Sequence, residues 1–74
     1  MKKHRIIRVE NLDTNKTYTG RLVDFPEKGE CMRVAEYTNN MYFCLVTSVV
    51  ISVKNNEFTT YSGKRYKWEL VWVN

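Results

Sequence analysis

Apolar and polar residues alternate with a period of two along most of this chain, a pattern typical of β-strands that bury one face. We find no stretch in which apolar residues recur at the spacing of a helix. The alternation predicts strands over residues 5–10, 17–25, 31–37, 41–53, 57–61 and 65–73. The chain is therefore expected to be all-β, with six or seven short strands.

Residues that favour turns separate the predicted strands. Asn, Asp, Thr, Gly and Pro cluster in these gaps because their side chains or backbones suit tight turns. In one gap, Asn55 and Asn56 are expected to adopt the positive φ values of a hairpin turn. The predicted turns are NLDTNK, FPEKGE, TNN, the Asn55–Asn56 pair and SGK, of which TNN places a hairpin turn at Asn39 and Asn40.

The length and the strand pattern predict one domain, residues 1–74, folded as a small antiparallel SH3-like or OB-like barrel. A sheet of this size must protect its edges, and closing into a barrel does so. The core of such a short chain is thin, so self-association is expected to add stability. Gly20, inside a predicted strand, indicates a bulge or a close backbone approach.

The apolar run CLVTSVVIS, residues 44–52, is interrupted by Thr47 and Ser48. Since it is apolar on both faces, we expect its strand to be the one most enclosed by neighbours. The pair is expected to form a bulge, where the strand bends and the hydroxyls bond to freed backbone groups. Alternatively, a hydroxyl faces a binding pocket together with Arg33.

Cys31 and Cys44 are the two cysteines, and they form no CxxC motif. A hairpin turning at Asn39 and Asn40 places Cys44 opposite Ala35 rather than Cys31, so a disulfide is not expected. Both are interpreted as buried, reduced thiols. Two thiols are too few for a zinc site, so no metal or cofactor is expected.

Catalytic groups are scarce in this sequence. His4 is the only histidine, the acidic residues are scattered, and no glycine-rich phosphate loop is present. We therefore expect a non-enzymatic protein. The N-terminus lacks the apolar segment of a signal peptide, and the longest apolar stretch, residues 41–53, is too short for a membrane helix. These features predict a cytoplasmic protein without membrane contact.

The net charge of +4 and the pI of about 9.2 favour an anionic partner. Basic residues load the first and last strands, and these groups are expected to merge into one positive face. Tyr66 is expected in the core, whereas Tyr61 suits either role. Arg33 and Arg21 suit bidentate phosphate contact. The predicted ligand-binding residues are Arg33, Arg21, Thr47, Ser48, Tyr61, Lys64 and Arg65, and the basic groups are Lys2, Lys3, Arg5 and Arg8 with Lys64, Arg65 and Lys67.

The segment TSVV, followed about ten residues later by FTTYSGKRYKWEL, resembles a pattern in small phage-encoded β-rich proteins of unknown role. There a Thr-Ser-Pro-Val is followed by a strand, a turn and a Thr…Ser…Tyr ending. Val49 stands here at the proline, and the spacing from Ser to Tyr is longer. The resemblance covers residues 38–70 and implies a phage or prophage origin, hence location in the host cytoplasm. The matching positions are Thr47, Ser48, Val50, Thr60, Ser62 and Tyr66.

Three functions are compatible with these features. The first is a homo-oligomeric counter-defence protein, or sponge, that sequesters an anionic, phosphate-bearing nucleotide-derived ligand. The second is a small barrel that binds single-stranded nucleic acid. The third is a protein inhibitor of a host or defence enzyme, which extends a partner's sheet through the apolar face of YKWELVWV.

Overall fold

The computed structural model describes residues 4–36 and 42–73, and within them the chain forms six β-strands and no helix. The predicted all-β class is confirmed, with the lower of the two expected strand numbers. The second strand ends before Pro26, where the missing N–H and fixed φ do not suit a sheet. The strands are β1 His4–Asn11, β2 Thr17–Leu22, β3 Cys31–Ala35, β4 Phe43–Lys54, β5 Glu57–Thr60 and β6 Arg65–Val73.

The six strands form a closed antiparallel barrel in which each strand pairs with the next along the chain and β6 pairs with β1. The predicted small barrel is therefore confirmed. The β1–β6 pairing runs from His4↔Val73 to Asn11↔Tyr66, so the two terminal strands join along their whole shared length. Closure gives the backbone of this short chain hydrogen-bond partners that an open sheet would lack at its edges.

The core is built from residues that alternate along every strand. Phe58 and Tyr66 stack inside the barrel with ring centroids 5.1 Å apart. Tyr66 is buried, as predicted, and Trp68 and Leu70 of the same strand are half-buried against the core. The apolar face of β6 therefore packs inward at these three positions, whereas the side chain of Trp72 lies outside the described residues. The core cluster comprises Ile7, Val9, Met32, Val34, Leu45, Val50, Phe58 and Tyr66.

The prediction that the central apolar run is the most enclosed strand is wrong. Leu45 and Val50 face the core, but Val46, Val49 and Ile51 are exposed on the outer face of β4. The physical reason is that a barrel wall has a single buried face, and no helix or second sheet in the described structure covers this strand from outside. Apolar residues on both faces of β4 therefore do not mean that both faces are buried.

Gly20 of β2 lies directly against the backbone of Ala35 in β3, which confirms the predicted close backbone approach. A Cβ atom at this position would overlap the carbonyl oxygen of Ala35 and lie 2.9 Å from Cγ1 of Val34. The β2–β3 pairing is short, with Arg21↔Ala35 and Leu22↔Val34 as its register pairs. Glycine is thus required for the barrel to close at this seam.

Thr47 and Ser48 form the predicted irregularity in β4. The β3–β4 register shifts from Arg33↔Val46 to Cys31↔Val49, so β4 carries one extra residue at this point. The buried Thr47 hydroxyl accepts a hydrogen bond from the Met32 N–H at 3.0 Å and donates one to the Ser48 carbonyl at 2.7 Å. The predicted bend, with a hydroxyl serving the backbone, is confirmed for Thr47.

Both cysteines are free thiols, in agreement with the sequence, but only Cys44 is partly buried and Cys31 is exposed. The expectation that both are buried is wrong for Cys31, since it pairs with Val49 on the outer face of the wall. The expected pairing of Cys44 with Ala35 is also wrong, because Ala35 pairs with Phe43 and a register shift follows. The proposed turn at Asn39 and Asn40 lies outside the described residues.

Candidate functional site

The structure divides five of the predicted site residues into two groups and separates Thr47 and Arg65 from both. Arg21 lies on β2 and lines a cleft on the outer wall, and Arg33 lies on β3 and contacts the Phe43 ring of that cleft. The second group surrounds the β5–β6 turn and consists of Ser48, Tyr61 and Lys64. Ser48 belongs to the β4 bulge and reaches this turn through its hydroxyl. Thr47 is 6% exposed, and its hydroxyl is used within the backbone.

The first group forms what we call the arginine cleft, a cavity of about 310 Å³ lined by Arg21, Leu22, Val23, Ala35 and Phe43. The strand register explains its shape. Arg21 pairs with Ala35, which in turn pairs with Phe43, so the three residues form a row across β2, β3 and β4. Because the small Ala35 stands between two long side chains, space remains between the guanidinium and the ring.

Arg33 is not part of the lining of the arginine cleft but contacts Phe43, which is. Its guanidinium carbon lies 5.9 Å from the centroid of the Phe43 ring, within the range of a cation–π contact. The nearest acidic partner is Asp24, with 3.9 Å between Nη2 of Arg33 and Oδ2 of Asp24. This separation is too long for a hydrogen bond, and both side chains are exposed to water. The Arg33 donors can therefore turn to an anionic ligand at small cost.

The chemistry of the arginine cleft suits a ligand with both a phosphate and a flat ring. A guanidinium can donate two parallel hydrogen bonds to phosphate oxygens. Phe43, which is 46% exposed, offers a ring face for stacking. Leu22 and Val23 add an apolar wall. The site thus combines charge pairing with stacking over a short distance.

The second group forms a hydroxyl cluster at the β5–β6 turn. The Ser48 hydroxyl donates to Oγ of Ser62 at 3.0 Å and accepts from the Ser62 N–H at 3.2 Å. The Oγ atoms of Thr60 and Ser62 lie 3.1 Å apart. These hydroxyls bond mainly to one another, so the cluster ties the β4 bulge to the turn. Tyr61, which is 81% exposed, and the exposed Lys64 flank it.

Arg65 points away from this cluster toward the β1–β2 turn. Its Nη2 lies 3.1 Å from Oδ1 of Asp13, and the Leu12 N–H donates to the Arg65 carbonyl at 2.9 Å. Arg65 therefore holds the β1–β2 turn against the start of β6. The structure does not bring it together with Arg21 and Arg33.

Among the described residues the predicted single positive face does not form, although the terminal strands are neighbours as expected. Acidic residues alternate with the basic ones across the wall, in the register Glu10↔Lys67, Lys67↔Glu57 and Glu57↔Lys54. Arg8 pairs with Glu69 at 2.6 Å. Positive and negative side chains are likewise balanced in a second cavity of about 270 Å³. It is lined by Arg8, Glu10, Asn56, Lys67, Trp68 and Glu69.

The three remaining basic residues of the first strand have separate outcomes. The guanidinium carbon of Arg5 lies 5.4 Å from the centroid of the Phe25 ring, in the β2–β3 connection. Lys2 and Lys3 lie outside the described residues. The wall around β1, β5 and β6 is therefore close to neutral, because the strand register places carboxylates beside the cations. This cancellation of charges could not be predicted from the sequence, because it depends on the register between neighbouring strands.

The sequence reading missed Phe43 as a site residue because it belongs to the apolar run that was expected to be buried. A cue was present in the small residue Ala35, which leaves space beside any long neighbour on the adjacent strands. Among the described residues, no group of three or more His, Cys, Asp or Glu side chains is placed to hold a metal ion. The same part of the chain contains no helix long and apolar enough to cross a membrane.

Comparisons of the chain with models of protein families, with curated proteins and with solved structures find no match. The function is therefore argued from the geometry of the arginine cleft and its surroundings.

Proposed function

We propose that this protein is a non-catalytic binding protein that sequesters a phosphate-bearing, nucleotide-type small molecule in the arginine cleft. The observation that carries the proposal is the placement of Arg21 and Arg33 around the exposed ring of Phe43. Stacking on the ring and bidentate contacts to phosphate require this combination. A cavity of about 310 Å³ lies at the small end of ligand sites, which fits one nucleotide unit.

Binding without turnover follows from the side chains around the cleft. The two guanidinium groups can supply hydrogen-bond donors to an anion but no acceptor for a substrate proton. Leu22, Val23, Ala35 and Phe43 carry no titratable group. A ligand held there would leave unchanged, as a sequestering role requires.

The biological part of the proposal is that sequestration removes an immune nucleotide signal in the cytoplasm of a host cell. The resemblance of residues 38–70 to small phage-encoded proteins supports this setting. Free thiols, one of them exposed, are compatible with a reducing compartment.

Titration calorimetry with AMP, cyclic AMP, cyclic GMP and a cyclic dinucleotide tests the proposal. We expect stoichiometric binding of at least one probe, which is recovered unchanged by chromatography after the protein is denatured. Arg33→Ala should weaken it about 10- to 100-fold, since a hydrogen bond to a charged group contributes about 1.5–3 kcal/mol. Arg33→Lys should restore only part of the affinity, and Phe43→Ala should weaken binding to a similar degree.

Arg8→Ala is the matched control, since it removes the same side chain from the opposite wall, where Glu69 balances it. It should change affinity less than about twofold, as expected for an exposed ion pair. The proposal fails if no probe binds or if Arg8→Ala and Arg33→Ala weaken binding equally.

A second candidate function is binding of single-stranded nucleic acid. It is favoured by the strongly exposed ring of Tyr61 beside Lys64, because a strand could continue from the arginine cleft to a second stacking position. Titration with oligothymidylate at increasing salt separates the two functions. A steep loss of affinity with salt, together with weaker binding of Tyr61→Ala, would favour the strand over the single nucleotide.

A further inference from the structure

We propose that the arginine cleft selects nucleotides whose phosphate carries a single negative charge, and that Asp24 is the residue that determines this selectivity. The inference rests on the proposed function, because it concerns the ligand class of the same site. A phosphodiester, as in a cyclic nucleotide, has one ionised oxygen. A phosphomonoester has a second pKa of about 6 and therefore carries nearly two charges at neutral pH.

Asp24 lies at the edge of the arginine cleft, between a residue of its wall and an anchored aromatic ring. Val23, the preceding residue, lines the cavity. Phe25, the following residue, packs on Trp68 with ring centroids 5.5 Å apart, and the guanidinium carbon of Arg5 lies 5.4 Å from the centroid of the same Phe25 ring. Because Phe25 is held against the barrel, the backbone of Asp24 stays beside the cleft.

The carboxylate of Asp24 is close enough to Arg33 to repel any anion that this arginine binds. Oδ2 of Asp24 lies 3.9 Å from Nη2 of Arg33. A phosphate oxygen bonded to the same nitrogen lies about 2.9 Å from it, so the two negative groups are at most about 7 Å apart. This separation is shorter than the Debye length of about 8 Å at physiological ionic strength, so salt does not remove the repulsion.

The repulsion depends on the charge of the ligand. Coulomb energy is proportional to the product of the two charges, so a doubly charged monoester is repelled about twice as strongly as a diester in the same position. Asp24 also offsets one of the two positive charges supplied by Arg21 and Arg33. The second charge of a monoester therefore gains less from the arginines than it would without Asp24.

The lining of the arginine cleft makes that second charge costly. Of the five described residues that line it, only Arg21 is charged, and the other four are apolar. Apolar walls cannot replace the hydrogen bonds that water makes to phosphate oxygens. The cost of removing an ion from water rises roughly with the square of its charge, whereas the attraction by arginine rises only in proportion to it. A singly charged phosphate is thus the better match.

Titration calorimetry with AMP, its 5′-methyl ester and cyclic AMP, at pH 8 without Mg²⁺, tests the inference. The methyl ester has the base and ribose of AMP but only one charge on its phosphate, so this pair separates charge from ring shape. Wild-type protein should bind the methyl ester and cyclic AMP at least about threefold more tightly than AMP, an effect of the size expected for one exposed ion pair.

Asp24→Asn removes the carboxylate charge and keeps the size of the side chain. It should raise the affinity for the methyl ester about two- to fivefold, the range of an exposed ion pair. The affinity for AMP should rise by about the square of that factor, because the energy is proportional to ligand charge. The preference for the singly charged probe should therefore be lost.

Glu69→Gln is the matched control for Asp24→Asn. It also breaks an arginine–carboxylate pair, in which Arg8 and Glu69 lie 2.6 Å apart, and it changes the net charge by the same amount on the opposite wall. The variant should leave the ratio of the two affinities unchanged. Thermal unfolding verifies that both variants are folded.

The dinucleoside phosphate ApA distinguishes two sources of a phosphodiester, since its single charge lies in a linear chain. Tighter binding of cyclic AMP than of ApA would assign the site to cyclic nucleotides, and the reverse would assign it to a strand. Either result, with AMP bound more weakly, supports selection by charge.

The inference is overturned if wild-type protein binds AMP as tightly as its methyl ester, or if Asp24→Asn raises both affinities by the same factor. In these cases the probes still bind, so the proposed function stands. If no probe binds to the wild type or to Asp24→Asn, the proposed function fails and the inference fails with it.

Discussion

At the scale of single residues, Gly20 controls how closely β2 and β3 can approach. We expect Gly20→Ala to lower the free energy of unfolding by about 3 kcal/mol, the upper end for an overpacked site, because the new Cβ would overlap the Ala35 carbonyl. Urea denaturation measures this. Gly63→Ala is the comparison: no atom lies within 4 Å of its added Cβ, and only its φ of +86° is unfavourable. It should cost about 1–2 kcal/mol, and equal losses at the two sites would refute the clash.

Thr47 is the second residue whose role depends on one contact. Thr47→Val keeps the shape of the side chain but leaves the buried Met32 N–H without its acceptor. The variant should lose about 1–3 kcal/mol of unfolding free energy, the usual cost of an unsatisfied buried donor. Ser48→Ala is the natural control because water can replace the half-exposed hydroxyl. It should lose less than about 1 kcal/mol in the same denaturation experiment, and a larger loss for Ser48→Ala would be unexpected.

Several residue roles could be read from the sequence because they are local. The Asn11 side chain accepts hydrogen bonds from the N–H groups of Asp13 and Thr14, as its place in a turn predicted. Gly20 and Thr47 could be recognised in the sequence because each interrupts the pattern of a predicted strand. Phe43 did not, because its exposure depends on whether anything covers the outside of β4.

At the scale of elements, the β4–β5 hairpin turns at Asn55 and Asn56, as the sequence predicts. Asn55 has the expected positive φ, +55°, but the same expectation for Asn56 is wrong. We expect Asn55→Thr to cost about 1–2 kcal/mol, because a β-branched residue does not suit the left-handed region. Asn56→Thr, one position later, is not among the residues with positive φ and should cost clearly less. Thermal unfolding of the two variants decides between them. Comparable melting temperatures for the pair would mean that the turn geometry is not the controlling factor.

The strands themselves could be predicted from alternation, but the environment of β4 could not. A run that is apolar on both faces is compatible with a strand that is buried on both sides. It is equally compatible with a strand whose outer face is exposed. Only the closed barrel shows that its outer face is uncovered. Likewise, a second irregularity in the β3–β4 register, between Val34 and Ala35, leaves Cys44 without a partner position, which is why the expected Cys44–Ala35 pairing is wrong.

At the scale of the whole molecule, burial of the Cys44 thiol and the Tyr66 hydroxyl makes the free energy of unfolding depend on pH in the alkaline range. Burial is the main cause that raises the pKa of the Cys44 thiol above its ordinary value of 9.0, with Glu36 adding to it and a backbone hydrogen bond opposing it. Burial, with a smaller effect of Tyr18, raises the pKa of Tyr66 above 10.0. In both cases the folded state favours the neutral form, so the unfolded chain releases these protons at lower pH.

The sign of the effect follows from proton linkage. Above pH 9 the unfolded state binds fewer protons than the folded state, so the free energy of unfolding falls as pH rises. The contribution of the two groups is fully present below about pH 9 and is lost as the pH passes through their raised values. Denaturation at a series of pH values should show this decline. Cys44→Ala should make the free energy of unfolding fall less steeply at the start of this pH range, and Tyr66→Phe should do so at its upper end. If neither variant changes the decline, other groups cause it.

The sequence by itself determined the strands, the turns, the closed antiparallel class of the fold and the positions where a strand must bend. These depend on period-two alternation and on the conformational preferences of neighbouring residues. Tertiary structure alone decided which charges cancel, which apolar face stays uncovered and which arginines lie close to Phe43. Those properties depend on register between strands distant in sequence. A shift of one residue would move every side chain to the other face of the wall.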